Sequence, residues 1–117
     1  MTPPIASMKP GDERCARART MSLSRVLALS GGPLDKANWP DRNLHTDADA
    51  ARAAGLAEIV VSGTQWEGHM AGLLVETMGM AWFHGGRMNV KIPRSVKVGE
   101  TLQAKLKLDA ITAHDCL

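Results

Sequence analysis

SGTQWEGHMAGLLVETMGMAW, residues 62–82, is the one long run in this chain with a helical apolar period. Trp66, Met70, Leu73, Leu74, Thr77, Met78, Ala81 and Trp82 recur at three- and four-residue steps. That spacing puts them on one wide stripe of a helix. Ser62-Gly63 reads as the turn that starts it, and Gly85-Gly86 as its end. The pattern predicts a helix over about 64–82. Its apolar side calls for a cover, and the neighbouring sequence supplies strands.

Downstream, Arg87 to Ile92 alternates, with Met88, Val90 and Ile92 on one face. Thr101 to Leu108 alternates again, with Leu102, Ala104, Leu106 and Leu108 inward. A period of two is the mark of a half-buried strand. Ala57 to Val61 predicts a short strand leading into the helix, and Glu13 to Thr20 a weaker one. The expected class is α+β: an antiparallel sheet around one long helix. Four strands cover such a helix poorly and leave free edges. A second subunit, or strands beyond Leu117, is expected to complete the sheet.

Upstream, Ser22 to Ser30 predicts a short helix, capped by Ser22 and stopped by Gly31-Gly32-Pro33. Residues 31–43 form a loop rich in Gly, Pro, Asn and Asp, of a length that is often functional. Asp47 or Thr46 can cap an Ala-rich helix from Ala48 to Ala54, with Gly55 as its stop. His45 sits just before that helix, where it can point into a cleft. Residues 1–12 read as an extended lead-in, and 109–117 as an irregular tail. The 117 residues make one domain without internal repeats.

The formal net charge is +2 with acids and bases interspersed, which excludes a nucleic-acid footprint. Arg14, Arg17 and Arg19 read as a solvated face. Cys15 and Cys116 carry no motif and read as incidental thiols of a cytoplasmic protein. The first residues lack a signal-peptide core, and no run is long enough to span a membrane. The chain has 7 Met, 1 Phe and no Tyr. Met-rich packing suits a flexible apolar ligand, although filler in an ordinary core explains it as well. Trp66, Met70 and Leu74 accordingly line either a tunnel for such a ligand or, as is usual for a helical stripe, plain core. The four histidines have no metal-ligand spacing, so no metal is expected. His69 and His84 are assigned no chemistry, and His114 belongs to the tail.

The segments LALSGGP (27–33), WPDRNLHTDADAARAAGL (39–56), VVSGT (60–64) and GGRMNVKIPRSVKVGETL (85–102) resemble the MaoC-like acyl dehydratases of the hot-dog superfamily. The most specific part is N-x-H-T-D followed by A-x-x-A-G, a Ser-Gly turn and an apolar helix. V-x-V-G-E-T-L resembles the family's P-V-x-x-G-D-T-L strand entry, with Ser95 in place of a usual Pro. The resemblance runs from about Gly11 to about Leu108. It implies a hot-dog fold and a homodimer. It also implies hydration or dehydration of an acyl thioester on CoA or an acyl carrier, without a further cofactor.

The family's D-x-N-P-x-H motif implies His45 and Asp41 as the catalytic pair and Asn43 as the orienting group. The match is one residue short: Asp41 lies four residues before His45, where five is usual, and Pro40 holds the usual Asp position. Asp35 is the weaker fallback. Asp41 serves equally well as a turn residue, and Asp47 better as a cap. The chemistry needs a base for water, an acid for the alpha carbon and a donor for the enolate oxygen. Backbone N–H groups at Ser62-Gly63 can supply that donor, with the helix dipole behind them, and the Ser62 hydroxyl can add a hydrogen bond. An ordinary strand-to-helix turn explains the same two residues. Arg87, Lys91 and Arg94 either meet CoA phosphates or are solvated.

Two other functions fit the residues. Hot-dog thioesterases commonly carry a carboxylate in the first turn of this helix, and that resemblance implies Glu67 as a base or nucleophile; the simpler and preferred reading is an acid that complements the helix dipole. The remaining alternative is a non-catalytic subunit that binds acyl groups or completes a partner's sheet.

Overall fold

The computed structural model describes residues 7–112. The N-terminal half of the lead-in, His114 and Cys116 lie outside them. The described elements run β1 (Glu13–Cys15), β2 (Arg19–Thr20), α1 (Leu23–Ser30), α2 (Ala48–Ala53), α3 (Gly63–Met78), α4 (Met80–Gly85), β3 (Thr101–Leu102) and β4 (Lys105–Lys107).

The two short helices form where their caps predict them. The Ser22 hydroxyl accepts from the Arg25 N–H at 3.4 Å, and α1 buries Val26 against the core. The Gly31 N–H closes α1 on the Leu27 carbonyl at 2.8 Å. Asp47, rather than Thr46, caps α2: its carboxylate accepts from the Ala50 N–H at 2.8 Å. Ala51 is the buried residue of α2, small enough to let the helix lie flat.

The central helix is two helices, not the single run over 64–82 that periodicity predicts. α3 stops at Met78 because Gly79 takes φ 59 and ψ −140, a conformation open in practice only to glycine. Its N–H donates to the Val75 carbonyl at 2.7 Å, and α4 begins at the next residue. The apolar stripe continues across the break, so periodicity alone does not register the turn. Only Leu73 and Thr77 of α3 are buried, and α4 buries nothing.

The strands are shorter than alternation predicts. β1 pairs antiparallel with β4, Arg14 opposite Leu106, and β2 with β3, Arg19 opposite Leu102. The predicted strands over 13–20 and 101–108 are each broken in the middle, at matching places. There the Gln103 side chain donates to the Ala16 carbonyl at 3.1 Å, in place of a backbone donor. The Ala16 N–H still reaches the Ala104 carbonyl at 2.8 Å, so one ladder interrupted by a kink yields two short ones. The strand expected at Ala57 to Val61 reduces to one bridge, Val60 opposite Lys97, backed by the Val61 N–H on the Val96 carbonyl at 2.7 Å. Arg87 to Ile92 forms no strand. Its intended inward residues Met88 and Ile92 are 40% and 54% exposed. A strand needs a neighbour to take its backbone bonds, and none of the described residues lies alongside as one.

The core sits where α1, the entry to α3 and the Val96 turn meet. Met21, Val26, Val61 and Val96 are buried, with Ile59, Trp66, Val98 and Leu102 packed around them. The radius of gyration is 17.5 Å, against ~13 Å for a compact chain of this length. None of the described helices is long and apolar enough to cross a membrane.

Candidate functional site

The loop before α2 is built from its own polar side chains. The Asp41 N–H donates to the Gly31 carbonyl at 2.7 Å, and the Asn43 side-chain amide donates to the Ser30 carbonyl at 2.9 Å. Both bonds tie the loop to the end of α1. The Thr46 hydroxyl donates to the Asp41 carbonyl at 2.6 Å and accepts from the Asn43 N–H at 2.9 Å. Asn43 is the hub: its side-chain oxygen accepts from the His45 N–H at 2.9 Å. This is an Asx turn, the local use for which Asn suits loops. It fixes the backbone that carries His45.

The imidazole is held as well. Its Nδ1 lies 2.7 Å from the Val60 carbonyl oxygen. A carbonyl can only accept, so Nδ1 carries the proton. In the neutral ring the lone pair is then on Nε2. Val60 stands three residues before Gly63, so the two backbones lie within about 11 Å. The half-buried ring is thus anchored beside the chain that enters α3.

Asp41, Asn43 and His45 share one loop, but the two chemical groups have different partners. The Asp41 carboxylate pairs with Lys36 Nζ at 2.5 Å and packs against Gly32, whose φ is +79. No hydrogen bond joins it to His45. Lys36 escaped the sequence reading because it lies in a turn-rich loop without motif; a carboxylate five residues on was its only signal. Asp47 serves as the helix cap. The Ala50 N–H, and after it Arg42 at 2.9 Å, hold its carboxyl below the ordinary range.

At the start of α3, the Ser62 side chain makes no cap bond; its hydroxyl lies 2.8 Å from the Thr64 hydroxyl. The Gly63 and Thr64 amides, in the first helical turn, have no intrahelical acceptor. A Cβ on Gly63 would stand 2.8 Å from Ile92 Cδ1. A side chain here would oblige the exposed tip of Ile92 to move. Glu67 is half-buried and is the fifth residue of α3, past the first turn where the dipole argument places it. Trp66, Met70 and Leu74 line the cleft between α3 and the last strands. Trp66 and Met70 border a cavity of about 170 Å³, and Met70 and Leu74 one of about 270 Å³. Arg87 and Lys91 lie on the irregular segment after α4, and Arg94 pairs with Glu100 at 3.3 Å. Among the described residues no three His, Cys, Asp or Glu side chains gather as a metal site would require.

No family model matches this sequence, and no curated protein matches it. A solved structure does: the crystal structure of the MaoC-like dehydratase from Rhodospirillum rubrum. It superposes with a TM-score of 0.69 over 93% of this chain and 72% of that one, at 21% identity. Likeness of architecture at so low an identity speaks for the fold, and with the helix and antiparallel ladders described above it gives the conclusion that this chain has the α+β hot-dog fold.

Proposed function

We propose that the chain is an acyl-thioester hydratase or dehydratase of the MaoC-like kind, acting on a 2-enoyl or 3-hydroxyacyl thioester of CoA or an acyl carrier. The observation that carries this reading is the clamp on His45: Asn43 fixes its backbone and the Val60 carbonyl accepts from its Nδ1–H. Nε2 is left as the base. In the hydration direction it takes a proton from water as the hydroxyl bonds to the beta carbon. The double-bond electrons move toward the thioester carbonyl, and the resulting enolate oxygen accepts from the first-turn N–H of α3 at Gly63, with the Ser62 hydroxyl beside it. The enolate then collapses as the alpha carbon takes the proton now on His45 Nε2, which restores the neutral ring. Asp41 is the second proton-handling group of this reading, with Lys36 as its counter-ion. The α3 cleft lined by Trp66, Met70 and Leu74 accommodates the acyl chain. The active species is a homodimer, the partner covering apolar surface that one chain leaves open.

The test is loss of the conjugated thioester absorbance of crotonyl-CoA. Replacing His45 by Ala is expected to lower the rate about 10²–10⁴-fold. Full activity in that variant rejects the assignment. Release of free thiol instead would point to hydrolysis by Glu67.

One observation favours a second reading. Because Asp41 is paired with Lys36 and not with His45, the chain also suits a non-catalytic subunit that binds acyl thioesters. Binding of crotonyl-CoA without turnover distinguishes it.

A further inference from the structure

A further cleft opens at the kink between β1 and β2, adjoining the α3 cleft along His69, Leu73, Leu102 and Ala104. It has a volume of about 370 Å³ and lies between the Ala16–Ala18 bend and the middle of α3. Arg17, Arg19 and Arg25 line it, with His69 on its helical wall. Among the described residues none of the three arginines has an ion pair. One acid, Glu76, stands on the same wall and has an interaction of its own. The three arginines are exposed, and the one carboxylate on the wall offsets at most one of their charges, so the cleft keeps a net positive field that favours an anion.

Two further observations point the same way. His69 Nε2 is buried and makes no hydrogen bond within the protein, and such an orphan is uncommon in a folded chain. Gly68 and Gly72 form part of the same wall, and a Cβ on either would meet nothing within 4 Å. Glycine inside a helix is costly. Here no protein atom within 4 Å demands it, and the floor of the cleft is open. Burial first, and then the charges of Arg19 and Arg25 on the same cleft, push the His69 imidazole below its ordinary 6.5.

The geometry points to a binding site for a phosphate-bearing small molecule, its phosphates held by Arg17, Arg19 and Arg25 and hydrogen-bonded to His69 Nε2. Planar guanidiniums match phosphate oxygens in a bidentate way. The cleft is larger than one phosphate needs and falls at the small end of organic-ligand pockets, so a diphosphate is the fitting class. The site itself does not require turnover; only its assignment to the thioester carrier rests on the hydratase reading.

The test is calorimetric titration of the whole chain with pyrophosphate, ADP and CoA, against sodium chloride at matched ionic strength. Saturable binding of pyrophosphate or ADP is expected, weakened about tenfold or more in Arg19→Gln and Arg25→Gln and partly kept in Arg25→Lys. Equal affinity for pyrophosphate and ADP assigns the site to inorganic diphosphate, and tighter ADP to a nucleotide. CoA tighter than ADP assigns it to the thioester carrier. Should the Gln variants not fold, the wild-type His69 ring is followed by NMR. Pyrophosphate is expected to move its titration upward, as an anion offsets the charges of Arg19 and Arg25. No heat beyond that of chloride, with an unmoved His69, overturns the proposal, as does full binding by a folded Arg19→Gln, Arg25→Gln double variant. Neither readout uses turnover, so failure here leaves the crotonyl-CoA result untouched.

Discussion

His45 shows how a loop residue becomes a positioned one. Two bonds set it, one to its backbone from Asn43 and one from its ring to Val60. Replacing Asn43 by Ala removes the first, along with the tie to the Ser30 carbonyl. The expected cost is about 1–3 kcal/mol, read in denaturant unfolding, with a larger loss of any hydration activity than of substrate binding. Asn43→Asp keeps the acceptor for His45 but loses the donor to Ser30, and is expected to fall between. Met21 is a different case. It is fully buried at the centre of the core cluster, so Met21→Ala is expected to cost about 2–5 kcal/mol. That is a large share of a typical domain's stability, and a folded Met21→Ala with an unchanged unfolding midpoint would contradict the core placed here.

Among the elements, the glycines of the central helix pair divide by conformation. Gly79 holds a positive φ that ends α3, so Gly79→Ala is expected to cost about 1–3 kcal/mol. Gly72 has ordinary helical geometry and open space around it, so Gly72→Ala is expected to stabilise by about 0.5–1 kcal/mol. Thermal melts of the two variants should therefore move in opposite directions. Acid sensitivity belongs to the turns. The carboxyl of Asp47 is held down by the Ala50 N–H and Arg42, and that of Glu100 by the Lys97 N–H and Arg94. Lowered carboxyls stabilise the fold above their unfolded values, 3.8 and 4.5. That stabilisation is lost as pH falls through the lower folded values. Circular dichroism across this acid range should show a shallower pH dependence for Asp47→Asn. The variant retains an acceptor for the cap but no charge.

At the scale of the molecule, the apolar surface is out of balance. Met80 and Phe83 on α4 are 68% and 65% exposed, and Met88 and Ile92 follow on the segment that forms no strand. The proposed homodimer accounts for this surface. Light scattering coupled to gel filtration is expected to give twice the chain mass of 12.5 kDa. Phe83→Asp together with Met80→Asp is expected to shift the population to monomer; a wild-type monomer at high concentration would contradict the dimer.

Much of this fold is legible in sequence where the signal is local. Caps and stops place α1 and α2 because an Ser or Asp side chain and a glycine act within four residues of themselves. The apolar period places α3, and the motif around Asn43 and His45 marks the loop that the structure ties together. Tertiary structure decides what local signals cannot carry. Alternation in Arg87 to Ile92 and Thr101 to Leu108 is similar on paper, yet only the second has a strand to pair with, and backbone bonds need that partner. Gly79 is one of many glycines until its φ is known. The partners of the candidate site follow the same rule: Val60 lies 15 residues from His45, and Arg25 of α1 and His69 of α3 line one cleft only in the folded chain.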